Sequence, residues 1–261
     1  MSDERAAAVA VPDVLADLVG AARLRVAEQT APRRRFSAAL AAGSAEGRVS
    51  LIAEHKRASP SAGVIRDDLS LADVVCAYER GGAAALSILT EPTRFGGRLA
   101  DIGSAREASG LPILRKEFIV EPYQVYESAV AGADAILLIV AAFGDPEPLG
   151  ELLALAGSLG LEVLMEVHDR RELTVARDLR APIIGINNRN LRTLEVDLST
   201  SLALAAELAA DPGVIVVAES GFSAPAEIRA LAQAGVDAVL MGEALMRAPD
   251  LEAAARSIAA A

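Results

Sequence analysis

Five charged side chains stand at the ends of short apolar runs. Glu54 and Lys56 close the first run, and Lys116, Glu166 and Glu219 close three later ones. A charged group in an apolar strand is costly unless it faces a solvated mouth or a partner of opposite charge. Acids and bases gathered around one cavity have the shifted pKa values that proton transfer requires. The five side chains therefore predict general acid–base chemistry, with a structural ion-pair network as the alternative interpretation.

The apolar runs alternate with amphipathic stretches along the chain. The runs are Val49–Glu54, Ala84–Leu89, Pro112–Arg115, Ala135–Val140, Glu162–Glu166, Ile183–Asn187, Val214–Glu219 and Asp237–Met241. They are short and apolar throughout, as expected of strands covered on both faces. The helical patterns are Leu71–Arg80, Leu99–Ser109, Pro122–Ala131, Pro146–Leu159, Asp169–Leu179, Ser199–Ala209, Ala224–Ala234 and Leu251–Ala260.

Eight strand–helix units in about 210 residues predict an α/β protein with a (β/α)₈ TIM barrel. A doubly wound open sheet is the competing topology, but it usually has about five to seven strands, and no glycine-rich dinucleotide turn follows the first run here. A helical pattern at Val14–Glu28 predicts an N-terminal helical extension, residues 1–47, on a single barrel domain that takes in residues 1–261. The basic run Arg33–Arg35 is expected to be a solvated turn. Four residues are candidate N-caps: Ser70, Asp169, Ser199 and Ser223.

Composition argues against several classes of function. The chain of 261 residues has 25 Lys and Arg against 36 Asp and Glu. A nucleic-acid partner is not expected, because a phosphate-backbone reader needs a basic face. The longest strongly apolar run, Ala135–Phe143, is too short for a bilayer, which takes about 20 residues, so no membrane partner is expected. The single cysteine, Cys76, allows no intramolecular disulfide and favours a cytoplasmic location.

Glycines after the last two runs are typical of phosphate binding. Gly221 follows the seventh run and Gly242 the eighth. Glycine lets backbone N–H groups approach an anion, and Glu243–Arg247 can form an extra helical turn behind Gly242. In barrels of this kind the loops after strands seven and eight often hold a phosphate. We therefore predict a small, phosphorylated substrate.

No metal or other cofactor is expected. His55 and His168 are not placed as a pair, and no carboxylate spacing matches a zinc site. Residues i and i+2 of a strand share a face, so Glu54 and Lys56 should point one way and His55 the other, toward the helices. His55 is expected to be a packing histidine with its hydrogen bonds satisfied, and Arg98 a solvated loop residue.

Several segments resemble motifs of the indole-3-glycerol phosphate synthase family, and together they run from about residue 49 to residue 248. They are IAEHKRASPSAG from Ile52, GGA from Gly81, LSILT from Leu86, FGG from Phe95, PILRKEFIV from Pro112, PYQV from Pro122, GINNRNL from Gly185, AESG from Ala218 and LMGEALM from Leu240. The resemblance implies a cofactor-free barrel enzyme of tryptophan biosynthesis. Its reaction would convert 1-(2-carboxyphenylamino)-1-deoxyribulose 5-phosphate to indole-3-glycerol phosphate, CO₂ and water. Weak association with other enzymes of that pathway is also expected.

The resemblance also implies roles for individual residues. Lys116 would be the general acid at the substrate ketone, with Glu166 and Glu54 serving later proton transfers. Lys56 would contact the substrate carboxylate, and Asn187 would orient Glu54 and the sugar hydroxyls. The substrate-binding residues would be Ser59, Arg189, Glu219, Ser220, Gly221, Gly242 and Glu243. Among these, Ser59, the two glycines and the Glu243 backbone would hold the phosphate.

Two other functions stay open. Another sugar-phosphate barrel, such as phosphoribosylanthranilate isomerase, would need a Cys/Asp or Asp/Asp pair at its strand ends, whereas the first run here offers Glu54 and Lys56. A non-catalytic scaffold that binds phosphate ligands should have lost part of the set formed by Lys116, Glu166, Glu54 and Asn187. All four are present.

Overall fold

Eight parallel strands close into a barrel, in which each strand pairs with the next along the chain and the last pairs with the first. The structure is a computed structural model that describes residues 32–60, 62–190 and 193–261. The strands are β1 Ser50–His55, β2 Ala85–Leu89, β3 Ile113–Lys116, β4 Ala135–Ile139, β5 Glu162–Val167, β6 Ile183–Asn187, β7 Ile215–Glu219 and β8 Ala238–Met241. The predicted (β/α)₈ barrel is confirmed.

Helices connect the strands and surround them. They are α1 Phe36–Ala45, α2 Leu71–Arg80, α3 Pro92–Phe95, α4 Ala100–Ala108, α5 Pro122–Ala131, α6 Pro146–Ser158, α7 Arg170–Asp178, α8 Ser199–Leu208, α9 Pro225–Gln233, α10 Glu243–Met246 and α11 Leu251–Ala259. The eight helices predicted between runs are confirmed, each within one residue at either end. A hairpin of two short strands, Ala58–Ser59 and Gly63–Val64, follows β1. Within the described ranges no helix is long and apolar enough to cross a bilayer.

Alternation along the strands separates two apolar regions. Ile52, Leu114, Leu164 and Val217 point inward and fill the barrel. Their neighbours in the strands, such as Leu51, pack outward against the helices. Because side chains at i and i+2 share a face of a strand, the next inward position on each of these four strands is an ionisable residue.

Helix α1 closes the barrel at the amino ends of the strands. Phe36 and Leu40 are fully buried and belong to the same apolar cluster as Ile52. They lie four residues apart, on one face of the helix. The Ser50 hydroxyl at the start of β1 donates to the Leu40 carbonyl at 2.7 Å. This plug lies within the predicted extension, whereas the helix predicted at Val14–Glu28 lies outside the described residues.

The prediction of a solvated turn at Arg33–Arg35 was wrong for two of its three residues. The Arg33 guanidinium donates to the carbonyl of Ala133, just past the end of α5, at 2.6 Å. The Arg34 N–H donates to the buried Asp134 carboxylate at 2.7 Å. Only Arg35 is exposed. The run therefore ties the chain before α1 to the amino-end side of the barrel.

Two of the four predicted N-caps are confirmed. The Ser70 and Asp169 side chains accept backbone N–H groups of α2 and α7. The predictions at Ser199 and Ser223 were wrong. Ser199 is the first residue of α8 itself, and the Ser223 N–H donates to Glu227 at 2.7 Å.

Truncation of the plug should lower stability. Phe36→Ala empties a fully buried site, and changes of this type cost about 3–5 kcal/mol. We expect a loss of that size in the free energy of unfolding, measured by urea denaturation. Ala41→Ser, at an exposed position of α1, is the control and should stay within about 0.5 kcal/mol of the parent. A Phe36→Ala protein as stable as this control would show that α1 does not seal the barrel.

Candidate active site

The carboxyl ends of the strands enclose a cavity of about 460 Å³. This size is within the range of about 300–1,000 Å³ that is usual for small-molecule sites, and the location is where (β/α)₈ enzymes place their active sites. Eleven of the twelve predicted site residues line the cavity: Glu54, Lys56, Lys116, Glu166, Asn187, Arg189, Glu219, Ser220, Gly221, Gly242 and Glu243.

Ser59 is the predicted site residue that does not line the cavity. It lies in the hairpin after β1 and is buried. Its hydroxyl accepts the Ala62 N–H at 3.2 Å. A contact between Ser59 and a phosphate therefore stays a prediction.

One layer of the barrel interior is made of ionisable residues. Glu54, Lys116, Glu166 and Glu219 come from β1, β3, β5 and β7, the odd-numbered strands. Side chains in a layer of a (β/α)₈ barrel are contributed by alternate strands, which explains why these four meet. We call these four residues the charged layer. Each of its members lies two residues after the inward apolar residue of the same strand, toward the carboxyl end, and together they form the floor of the cavity.

Lys116 links two carboxyl groups within the charged layer. Its Nζ lies 2.8 Å from Glu219 Oε2 and 3.3 Å from Glu166 Oε2. Glu219 is 1% exposed and Glu166 is 2% exposed, so little water screens the contacts. Burial alone would lower the pKa of Lys116, but the carboxylates around it raise that pKa above its ordinary value. Lys116 is therefore a stable ammonium ion in this site.

The two carboxyl groups beside Lys116 differ in their protonation. Burial opposes the ionised form of both. At Glu166 this is outweighed, because Lys116 and His168 lower the pKa. At Glu219 burial raises the pKa by more than Lys116 lowers it, and the charge of Glu166 raises it further. Glu219 Oε1 is buried and has no hydrogen-bond partner among the described residues, which fits this direction. The pair therefore offers one carboxylate and one carboxyl that protonates readily.

Glu54 and Lys56 form a second acid–base pair. Lys56 Nζ lies 2.8 Å from Glu54 Oε1, and the Ser87 hydroxyl lies 3.3 Å from Glu54 Oε2. Burial opposes ionisation of Glu54, but Lys56 and Lys116 outweigh it and lower the pKa. The predicted shared face of Glu54 and Lys56 is confirmed.

His55 is buried and does not line the cavity, as the strand alternation predicts. Burial, followed by the charge of Arg57, lowers the pKa of His55 to about 4, so the ring is neutral. The expectation of a fully satisfied packing histidine was wrong, since Nδ1 has no partner within the described part of the chain. Arg98 is exposed, as expected.

Two glycines leave room for carboxyl groups of the charged layer. A Cβ added to Gly185 would lie 2.2 Å from Glu219 Oε1, and one added to Gly242 would lie 2.5 Å from Glu54 Oε1. Gly185 is the inward residue of β6 between Ile183 and Asn187. A larger residue at either site would displace an acid. The sequence prediction gave Gly242 only a phosphate-binding role.

Asn187 contacts a different acid from the one predicted. Its Oδ1 accepts the Arg189 N–H at 3.0 Å, and its side chain hydrogen-bonds to Glu166, whose pKa it helps to lower. A role of Asn187 in orienting Glu54 stays a prediction. Arg189 lies at the rim, where its guanidinium donates to the Leu194 carbonyl at 3.0 Å.

Sequence reasoning missed two features of this site. His168 Nε2 lies 3.2 Å from Glu166 Oε1, and the i, i+2 spacing from Glu166 could have indicated it. Phe95 and Phe118 line the mouth of the cavity with ring centroids 6.4 Å apart. Across residues 32–60, 62–190 and 193–261, no group of His, Cys, Asp and Glu side chains is arranged to hold a metal ion.

The fold and the cavity define a class of protein. A (β/α)₈ barrel with buried acids and partly buried lysines at the carboxyl ends, and with glycines after β7 and β8, is typical of barrel enzymes of the phosphate-binding type. Comparisons with known proteins identify the family within this class. The family model for indole-3-glycerol phosphate synthase matches residues 3–258. The chain belongs to the indole-3-glycerol phosphate synthase family.

Curated relatives agree over most of the chain. An indole-3-glycerol phosphate synthase of Aromatoleum aromaticum is 51% identical over 231 residues, which is 88% of this chain and 87% of the relative. One from an Azoarcus species is 49% identical over 232 residues, 89% of this chain and 88% of the relative. A solved structure of thiamine phosphate pyrophosphorylase from Pyrococcus furiosus has a TM-score of 0.58 at 18% identity and covers 81% of this chain and 94% of its own. That likeness supports the fold alone.

Gly185→Ala should impair catalysis by displacing Glu219 from Lys116. A hydrogen bond to a charged group contributes about 1.5–3 kcal/mol, so we expect kcat for the family's reaction to fall about 10- to 100-fold. Gly103→Ala is the control, because a methyl group on Gly103 in α4 meets nothing within 4 Å. It should leave kcat unchanged. A parental kcat in Gly185→Ala would contradict the fit between Gly185 and Glu219.

Proposed function

We propose that this chain catalyses the family's reaction, the conversion of 1-(2-carboxyphenylamino)-1-deoxyribulose 5-phosphate to indole-3-glycerol phosphate, CO₂ and water. The observation that carries the proposal is the Lys116 ammonium held between Glu166 and Glu219 inside a cavity lined by the family's motifs. The reaction makes one carbon–carbon bond and breaks another, which places the enzyme among the carbon–carbon lyases. No step of it transfers electrons to an acceptor, and the proton transfers fall to the side chains.

Lys116 acts in ring closure. The aromatic carbon that bears the carboxylate attacks the ketone carbon, and the ketone oxygen takes a proton from Lys116. An alkoxide is more basic than an amine, so the transfer is downhill even though the carboxylates raise the pKa of Lys116. Glu166 and Glu219 favour the ammonium form before attack, and they orient it by two contacts.

Lys56 orients the substrate carboxylate for the loss of CO₂. A cation that bound the carboxylate too tightly would stabilise the ground state and slow this step. The Lys56 ammonium already pairs with Glu54 at 2.8 Å, which divides its charge between the two anions. The aromatic ring recovers the electron pair of the broken bond.

Glu54 and Lys56 together serve the final dehydration. The hydroxyl made in ring closure leaves as water with a proton from Lys56, and Glu54 removes a proton from the neighbouring methylene carbon. The reaction consumes one proton overall, and Glu166 accepts this proton from solvent and, at 3.3 Å from Nζ, returns it to Lys116. Glu219 and Ser220 hydrogen-bond to substrate groups at the rim, and Asn187 and Arg189 hold the rim in place.

The two ends of the cavity suit the two ends of the substrate. Gly221, Gly242 and the backbone of Glu243 hold the phosphate beside the start of α10. Phe95 and Phe118 offer an apolar surface to the carboxyphenyl ring at the opposite side of the mouth. The presence of both surfaces in one cavity supports this orientation of the substrate.

The family assignment does not favour the isomerase or the scaffold. The strand ends carry Glu54 and Lys56 in place of the pair that an isomerase needs, and the charged layer is complete. The membership in a family of biosynthetic enzymes and the single cysteine support a cytoplasmic location. Weak association with other enzymes of tryptophan biosynthesis stays a prediction.

Replacement of Lys116 should abolish turnover. The chain has no Trp and three Tyr, so the fluorescence of the indole product is measured against a low background. Lys116→Met removes the acid, and we expect kcat to fall by at least about 10²–10⁴. Lys116→Arg is the matched variant, because it keeps the charge but holds its proton too strongly to donate it. It should also be inactive while still binding the product. Turnover near that of the parent in either variant would overturn the role of Lys116.

A further inference from the structure

His168 lies between two carboxylates at the end of β5. Its Nε2 is 3.2 Å from Glu166 Oε1 and its Nδ1 is 3.0 Å from Glu172 Oε2. The Nε2 contact has the geometry of an ion pair and not that of a straight hydrogen bond. The His168 side chain is 14% exposed and that of Glu166 3% exposed, so the contact is shielded from water.

The second carboxylate is fixed by the start of α7. Glu172 Oε2 accepts the backbone N–H of His168 at 2.8 Å as well as facing its ring. The Glu172 N–H donates to Asp169, the N-cap of α7. The imidazole therefore has one edge held by the helix and presents the other edge to the active site.

The contacts on both edges determine the charge of the ring. A neutral ring with its proton on Nδ1, toward Glu172, would present the Nε2 lone pair to a lone pair of Glu166 Oε1. That arrangement is repulsive unless Nε2 also carries a proton, and a neutral ring with its proton on Nε2 would present the Nδ1 lone pair to Glu172 Oε2 in the same way. Lys116 Nζ stands 3.3 Å from the other oxygen of Glu166 and favours its carboxylate form. The proton therefore belongs to His168, which is an imidazolium ion.

The charges around Glu166 show what this cation contributes. Glu166 faces Lys116 from β3, Asn187 from β6 and His168 beyond its own strand, with Glu219 on β7 behind Lys116. Lys116 is shared with Glu219, which it contacts more closely. Burial opposes the charged form of His168, but its contacts with Glu166 and Glu172 outweigh burial and raise its pKa to about 10. His168 and Glu172 also line a second cavity, outside the active-site cavity. The other ionisable residues of this second cavity are Asp169, Arg171, Arg189, Glu195 and Asp197.

We propose that His168 is a positioning residue of the catalytic site, which keeps Glu166 ionised and fixes its Oε1 so that Oε2 faces Lys116. The proposal rests on the proposed function of Glu166 as a base. Glu172 is part of the same device, because it holds the imidazolium in place.

The pH dependence of turnover tests this role. Loss of a cation within about 4 Å raises the pKa of a carboxyl by about 1–3 units. In His168→Gln we therefore expect the acidic limb of the kcat profile to move up by about one pH unit or more, with kcat approaching that of the parent at high pH. Glu172→Gln should move the limb in the same direction by less. A limb that stays in place, with kcat lowered equally at every pH, would overturn the proposal.

The chain offers a matched control in its only other histidine. His55 is buried and neutral, and it lies on the face of β1 that points away from the cavity. His55→Gln therefore removes no charge and should leave the acidic limb in place. If His55→Gln moved the limb as far as His168→Gln does, the effect would be general and the proposal would fail.

Nitrogen NMR of the parent protein, labelled at its two histidines, gives a test that does not depend on the folding of a variant. His168 should show the imidazolium signal at pH 7–8, and His55 should show a neutral ring. In Glu166→Gln the pKa of His168 should fall. A neutral His168 at pH 7 would overturn the proposal. If Glu166→Gln turned over like the parent while His168 remained charged, the role of Glu166 as a base would fail, but the ion pair itself would stand.

Discussion

The Lys116 ammonium between two buried carboxyl groups is the interaction on which the site depends. Charges in a barrel interior are destabilising unless they are paired, and in the charged layer Lys116 pairs with both Glu166 and Glu219, while Lys56 pairs with Glu54. Alternate strands bring these side chains to one level. Gly185 and Gly242 leave the space that the carboxyl groups of Glu219 and Glu54 occupy. A methyl group added at either glycine would displace one of these carboxyl groups, and this would change its contact with a lysine and its protonation.

The apolar layer below and the plug at the amino ends give these contacts their strength. Phe36 and Leu40 fill the open bottom of the barrel, and residues such as Ile52 and Leu164 separate them from the charged layer. With water kept out on that side, electrostatic interactions are stronger than at a protein surface. Burial raises the pKa of both Glu166 and Glu219, and their different neighbours, with His168 beside Glu166 alone, set the two pKa values apart. Two chemically identical side chains can therefore act differently.

Local sequence patterns predict which face of a strand a side chain lies on and which residues stand at the ends of the strands. Period-two alternation places Glu54 and Lys56 on one face and His55 on the other, and the strand ends identify eleven residues of the cavity. Contacts across the barrel have no such local signal. The pairing of Asn187 with Glu166, the space that Gly185 leaves for Glu219, and the plug formed by α1 each depend on strands or helices that are distant in sequence. His168 lies between these cases. Its spacing from Glu166 and Glu172 is local, but the charge of Glu166 depends on Lys116 from a distant strand.

A carbon NMR titration of the side-chain carboxyl groups would test the charged layer most directly. The signals of Glu166 and Glu219 can be assigned by their loss in Glu166→Gln and Glu219→Gln. An ordinary glutamate titrates near pH 4.3. The account predicts that Glu219 titrates above this value and Glu166 below it, and that both values rise in Lys116→Met because the cation that lowers them is gone. Two carboxyl groups that titrate together near the ordinary value, unmoved in Lys116→Met, would contradict it.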